Sequence, residues 1–190
     1  MINPDEMIQK GDGLLIVDVQ NDFCPGGALP IKEGDRIIPV LNLWIEAAEK
    51  RGIPVYASRD FHPVRHLSFT DQGGQWPPHC IEDSKGAAFH PGLRLPDRAV
   101  KITKGVRFDQ DQNSVFDQTG FAEQLRHDGV KRIWVGGLAQ DVCVLATVLD
   151  ALKAGFDVYV IMKATRAVTP EGGRESVAKM KEAGAEVIEG

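Results

Sequence analysis

The sequence predicts an α/β protein built as three layers, α/β/α, around a six-stranded, mostly parallel sheet, with residues 1–190 forming one domain. Three observations carry this expectation. Short apolar, β-branched runs alternate with segments of helical periodicity. The runs are continuous rather than alternating, as strands covered on both faces require. Polar, chemically capable residues stand at or just beyond the ends of several runs, where such sheets gather their sites.

Taken in order, residues 14–19 (Leu14, Leu15, Ile16, Val17, Asp18, Val19) read as a buried strand. Asp35 is placed to cap a helix in which Ile37, Leu41, Trp44, Ile45 and Ala48 recur at helical spacing, stopping at Gly52. Residues 55–57 form a second strand. The stretch 59–97 is irregular and too long for an ordinary connection, and its Trp, Phe and His content argues against disorder. Residues 99–103 are a third strand, 121–128 a helix and 132–136 a fourth strand. The next helix, 142–154, carries Val144, Leu145, Val148, Leu149, Ala151 and Leu152 around nearly its whole circumference. A helix apolar all round is buried, either inside the chain's own core or in the interface of a homo-oligomer. Residues 158–161 are a fifth strand, 171–183 a helix and 186–188 the sixth strand.

A chain of 190 residues has interior enough for a full core. Its net charge of −5, without a basic stripe, excludes nucleic acid as a partner. No apolar run approaches the roughly 20 residues that cross a membrane, and no charged-then-apolar leader opens the chain. Three cysteines, Cys24, Cys80 and Cys143, are odd in number and widely spaced. They fit a reducing cytoplasm and leave a thiol free to work.

The chemistry concentrates first in residues 58–80. Four of the five histidines lie between positions 62 and 90. Asp60 and His62 are two apart after an apolar run, so in extended chain both point to one side. His79, within Trp76-Pro77-Pro78-His79-Cys80, supplies a third donor. One carboxylate and two imidazoles suit Zn, Mn or Fe and leave coordination positions open. His66 reads equally as a ligand or as a group that orients one. His90, before a proline in a polar loop, reads as unrelated.

The second concentration is a thiol. Gly136-Gly137-Leu138-Ala139-Gln140-Asp141-Val142-Cys143 joins the fourth strand to its helix, placing Cys143 in the first turn, where free N–H groups favour a thiolate and can hold an oxyanion. Asp18 ends the first strand and can accept a thiol proton. Lys104, ending the third before Gly105, supplies a cation. Each has a bland alternative: a packed cysteine, a turn-capping aspartate, a solvated lysine. Their common position at one edge of the sheet, beside the metal box, favours a site.

These segments resemble the nicotinamidase/pyrazinamidase branch of the isochorismatase-like cysteine hydrolases. The match runs through residues 16–27, Ser58-Arg59-Asp60-Phe61-His62-Pro63, residues 75–80, Lys104-Gly105, and residues 136–144. The resemblance implies Cys143 as nucleophile, Asp18 as general base then acid, and Lys104 as their electrostatic partner. It implies one divalent metal ion, foremost Zn with Mn or Fe as alternatives, on Asp60, His62 and His79, with His66 a ligand in some members. It implies a cis peptide at Leu138–Ala139 that aims the Ala139 N–H, with that of Cys143, into an oxyanion hole. Phe23 and Trp76 match walls that sandwich a pyridine ring, and Leu138 and Val142 adjoin it. The implied reaction is metal-dependent hydrolysis of nicotinamide, and of pyrazinamide, to the acid and ammonia through a cysteine thioester, a step of NAD salvage. Two positions depart from the pattern: residues 106–114 lack a tyrosine-bearing motif, and Val142 replaces a bulkier group. Rival readings are a metal-independent amidohydrolase of ureido, carbamoyl or other small amides, and a metal- or pyridine-binding protein without turnover. Vinyl-ether hydrolysis on this fold proceeds without the cysteine and is disfavoured by Cys143.

Overall fold

The first apolar run is buried along its whole length because it lies at the centre of the sheet. In the computed structural model, which describes residues 3–189, β1 (Asp12–Val17) pairs with β2 (Val55–Asp60) on one side and β4 (Arg132–Leu138) on the other. β3 (Val100–Lys104) lies outside β2, and β5 (Asp157–Arg166) and β6 (Glu186–Ile188) lie outside β4. The order is β3-β2-β1-β4-β5-β6 and every pairing is parallel. Helices α1 (Pro4–Met7), α2 (Ile38–Lys50), α3 (Phe121–His127), α4 (Leu145–Lys153) and α5 (Pro170–Ala183) complete the layers.

The two-residue period of β1 divides its side chains between two cores. Leu14 and Ile16 pack with Leu41, Trp44 and Ile45 of α2 and with Trp134. Leu15 and Val17 pack with Phe121 and Leu125 of α3 and Val148 of α4. The sheet's connections run outward in opposite directions from β1 and β4, which are neighbours. A crevice opens beyond the carboxyl ends of two such strands. Asp18 follows β1 there and Ala139 follows β4.

Four details differ from the sequence expectations. Asp35 caps no helix: it lies in a 3₁₀ turn, Gly34–Ile37, and α2 starts at Ile38 without a side-chain cap. Pro39, in its first turn, suits that start, having no N–H to leave unpaired. The helix expected at 142–154 begins earlier, as a single π-helical turn, Gln140–Val144, that runs into α4. β5 spans ten residues rather than four, because a register shift opposite Val135–Gly137 lets its polar second half pair onward to Arg166. α1 was not anticipated; Asn3 caps it by accepting the Asp5 N–H.

The long segment after β2 is ordered. Phe69 and Cys80 are fully buried within it, and it is held by bridges His62–Ile81, Phe69–Trp76 and Gln20–Phe89. Along α4, Thr147, Val148 and Ala151 are buried, and Leu145 and Leu152 pack half-buried against the same core. The chain itself thus takes up most of that apolar circumference. Among the described residues, no helix is long and apolar enough to cross a membrane.

Candidate active site

The parallel register of β2 and β3 places Asp60 directly beside Lys104, each the last residue of its strand. The Lys104 ammonium lies 2.6 Å from Asp60 Oδ1 and 2.7 Å from Asp18 Oδ2. Its third neighbour is Cys143 Sγ, at 3.6 Å. Asp18 adopts the left-handed conformation (φ 48°), which aspartate tolerates better than most residues. Its N–H donates to the Ser58 carbonyl (3.1 Å), and Ser58 Oγ donates to its Oδ1 (2.7 Å). Asp18 and Lys104 are wholly buried, and Asp60 and Cys143 nearly so. A carboxylate oxygen of each acid and the sulfur lie within 4.8 Å of one another.

Burial dominates the proton affinities here. It raises Asp18 above the usual carboxylate range, outweighing the pull of Lys104. Burial pulls Lys104 down, but Asp18 and Asp60 overcome it and hold the ammonium charged. Burial also drives Cys143 well above an ordinary thiol; Lys104 opposes it, and Asp18 and Asp60 add to it. A desolvated pocket and two carboxylates favour the thiol over the thiolate, and Asp18 stands by as an acceptor for its proton.

The metal-ligating half is built by backbone acceptors. His62 Nδ1 contacts the Gly105 carbonyl and His79 Nδ1 the Pro77 carbonyl, both at 2.7 Å. His66 Nδ1 meets Ser68 Oγ at 2.7 Å. Each ring thus keeps Nε2 for a ligand, the usual way a protein orients such rings. Position 105 must be glycine: φ is +70°, and a Cβ would sit 2.5 Å from the His62 ring. Ligand atoms of Asp60, His62 and His79 lie within 4.8 Å of one another, all buried. His66 joins a different triad, with His62 and Asp111.

This donor set fits a divalent cation. Burial holds His66 and His79 below the ordinary histidine value, so both keep a free lone pair. His66 Nε2 is buried without a hydrogen-bond partner. Asp18, Asp60 and Lys104 together bury one more negative than positive charge.

Above these groups lies a largely apolar cavity. Phe23, Trp76 and Val142 line it as the sequence led one to expect, and Asp60, His62 and Cys143 reach it from below. Leu138 does not line it. Its side chain is fully buried, close to Gly34, and packs into the core beneath. What Leu138 offers the site is its peptide: the Leu138–Ala139 bond is cis. The Ala139 carbonyl accepts from Val142 (3.1 Å) and Val144 (3.0 Å), fixing the residue that carries the next N–H.

Comparison with known proteins places this geometry. The family model for the isochorismatase domain matches residues 12–190. The chain belongs to the isochorismatase family. It is 38% identical to a nicotinamidase of Escherichia coli, over 90% of this chain and 92% of that one. Among solved structures it superposes on a pyrazinamidase of Pyrococcus horikoshii in complex with zinc, with TM-score 0.92, 42% identity, and 95% and 99% of the two chains covered. A protein of L. infantum in complex with nicotinate gives TM-score 0.87 at 36% identity, covering 94% and 92%. The six-stranded α/β architecture is that of these isochorismatase-family structures.

Several residues of this family member escaped the sequence reading. Gln20 clasps two distant segments, donating to the carbonyls of Asp60 (2.6 Å) and Ala87 (2.9 Å) and accepting the Asp60 N–H (2.8 Å). Its place two residues after Asp18 was the available signal. Ser58 holds Asp18, and its place two residues before Asp60 in β2 was a comparable hint. Asn113, whose Oδ1 lies 3.9 Å from Cys143 Sγ, and Asp111 sit in an irregular loop where no periodicity marks them. The His90 ring accepts the Gly92 N–H, apart from the site.

Proposed function

We propose that this protein is a metal-dependent amidohydrolase that converts nicotinamide to nicotinate and ammonia, and accepts pyrazinamide, as a step of NAD salvage. The observation that carries the reading is Cys143, beside Asp18 and Lys104, lining the same cavity as Asp60, His62 and His79. The similarity to a nicotinamidase, to a zinc-bound pyrazinamidase and to a nicotinate-bound structure supports the substrate class.

Asp18 takes the Cys143 proton, and Lys104 offsets the negative charge that passes to sulfur. The thiolate attacks the carboxamide carbon. The N–H groups of Ala139 and Cys143 hold the resulting oxyanion. Asp18 returns the proton to nitrogen as the C–N bond breaks, ammonia leaves and a thioester remains. Water then adds with Asp18 again as base, the C–S bond breaks, and nicotinate departs as the thiol is restored. Phe23 and Trp76 hold the ring and exclude water from its faces. Asp60, His62 and His79 would hold one divalent cation, Zn foremost, with Mn or Fe as alternatives. Bound there, it would supply a Lewis acid to hold the ring nitrogen. Three unpaired cysteines fit the cytoplasm as the compartment.

The test is ammonia release from nicotinamide by purified protein, as isolated, after chelation, and in Cys143→Ala. The expected result is a loss of roughly 10⁴-fold or more in the variant, and a loss on chelation that Zn, Mn or Fe reverses. Activity that survives complete metal removal would sink the metal-anchored ring. No ammonia from folded, metal-loaded protein would point instead to ureido, carbamoyl or other small amides.

A further inference from the structure

Asp111 has no part in the reaction steps above, yet it faces the same cavity. It sits on the loop that leaves Lys104, and that loop is tied down at its root. Gln112 Oε1 accepts the N–H groups of Gly105 (3.0 Å) and Val106 (3.3 Å), and Gln112 Nε2 donates to the Asp117 carbonyl (2.7 Å). The Gly105 carbonyl is also what orients His62. Asp111 therefore hangs from the short segment that fixes a metal-ligating ring.

A carboxylate oxygen of Asp111 and one nitrogen each of His62 and His66 lie within 4.8 Å of one another. This set shares His62 with the set of Asp60, His62 and His79, so the two border one space. The His66 Nε2 lone pair is the second sign. His66 is fully buried, its Nδ1 is committed to Ser68, and its Nε2 has no partner. Buried polar atoms seldom stay unpaired without a reason.

Charge points the same way. Asp60 shares its carboxylate with the Lys104 ammonium at 2.6 Å, which weakens it as a ligand. A dication added to ionised Asp18 and Asp60 and charged Lys104 leaves one uncompensated positive charge in a buried place, which is costly. One further carboxylate cancels it.

We propose that Asp111 is the second carboxylate of the cation site, and that with His66 it binds the same divalent ion that Asp60, His62 and His79 face. His62 decides for one ion rather than two. With Nδ1 committed to Gly105 it presents one nitrogen, and one nitrogen holds one ion. The inference rests on the metal reading of the proposed function and adds to it a residue that neither the sequence nor the resemblance indicated.

The experiment is equilibrium competition for Zn²⁺ between the full chain and a chromophoric chelator. It compares wild type, Asp111→Asn and Asp109→Asn. Asp109 carries the same charge on the same loop, exposed and paired with Arg107, and is outside the cavity lining. Asp111→Asn is expected to weaken Zn²⁺ binding about 10–100-fold, with Asp109→Asn within about twofold of wild type. The visible spectrum of the Co²⁺-loaded protein should change in Asp111→Asn alone. Matching melting temperatures of the metal-free proteins establish that the variants fold. Unchanged affinity in Asp111→Asn, or an equal loss in Asp109→Asn, overturns the inference and leaves the three-residue site standing. A wild type that binds no Zn²⁺ sinks the metal reading itself.

Discussion

Asp12 and Asp18 bracket the same central strand, both buried, and they are held in opposite ways. Asp12, at the amino-terminal edge of the sheet, accepts two bonds from Arg132 (2.7 Å each), one from Trp134 Nε1 (2.8 Å) and one from the Gln9 N–H (2.8 Å). Arg132 in turn lies over the rings of Trp134 and Tyr159. Asp18, at the carboxyl-terminal edge, has Ser58 and Lys104, and its third neighbour is a thiol. Saturation makes Asp12 a fastener. Burial, with Asp60 nearby, raises the proton affinity of Asp18, and its few partners leave it room to use that affinity. The contrast shows how one residue type, six positions apart, serves stability at one end of a strand and chemistry at the other.

Substitutions at the two ends should separate these roles. Asp18→Asn is expected to lower kcat roughly 10³–10⁴-fold, the size of a lost general base, with little change in melting temperature. Steady-state kinetics beside calorimetry checks it, and a variant that retains activity would end the contrast. Asp12→Ala should do the reverse. It strands Arg132 and the Trp134 N–H, costing about 3–5 kcal/mol of stability by urea unfolding, while kcat per folded molecule holds. Ser58→Ala removes one bond to a charged acceptor, so kcat should fall by about one to two orders of magnitude with stability nearly unchanged. A loss confined to KM would show that Ser58 does not act through Asp18.

The smallest effect sharpens the comparison with a third aspartate. Tyr56 Oη donates to Asp128 Oδ2 at 2.7 Å, in a partly exposed pair. Bonds from Gln124 and Tyr56 hold Asp128 below the usual carboxylate value. A carboxylate depressed in the folded state stabilises above its unfolded pKa, and that stabilisation is lost as pH falls through its folded value. Tyr56→Phe should therefore cost about 1 kcal/mol at neutral pH, and the difference from wild type should shrink below about pH 4. A difference that is flat with pH would assign the loss to packing.

The fold was legible because the central strands hold continuous apolar runs; β1 could be read from residues 14–17 alone. The order of the strands was not, since nothing local to β3 says that it lies outside β2. The site was legible where spacing carries meaning, as in Asp60 and His62, or where an element's end marks a position, as with Lys104 and Cys143. It was illegible where a side chain acts across distance or from irregular chain. Gln20 works on residues 40 and 67 positions away. Asp111 and Asn113 lie in a loop whose shape depends on Gln112. Leu138 misled for a different reason: position beside a pocket says nothing about which way a side chain turns. The burial that raises the proton affinity of Cys143 was illegible too, because the helix start is a local feature and the pocket around the sulfur is not.

Lys104 has a consequence for the way the chain reaches its final form. Its two acids and its sulfur come from positions 18, 60 and 143, and its contacts with Asp60 and Cys143 close separations of 44 and 39 residues. Contacts so far apart in sequence form late and slowly. Until β1, β2, β3 and the turn at 140–144 are all docked, the lysine lacks at least one of its three neighbours. A chain stalled with any one of these segments undocked has no partial site and no partial turnover. Recovery of activity on refolding should therefore lag behind recovery of secondary structure and mark the last cooperative step.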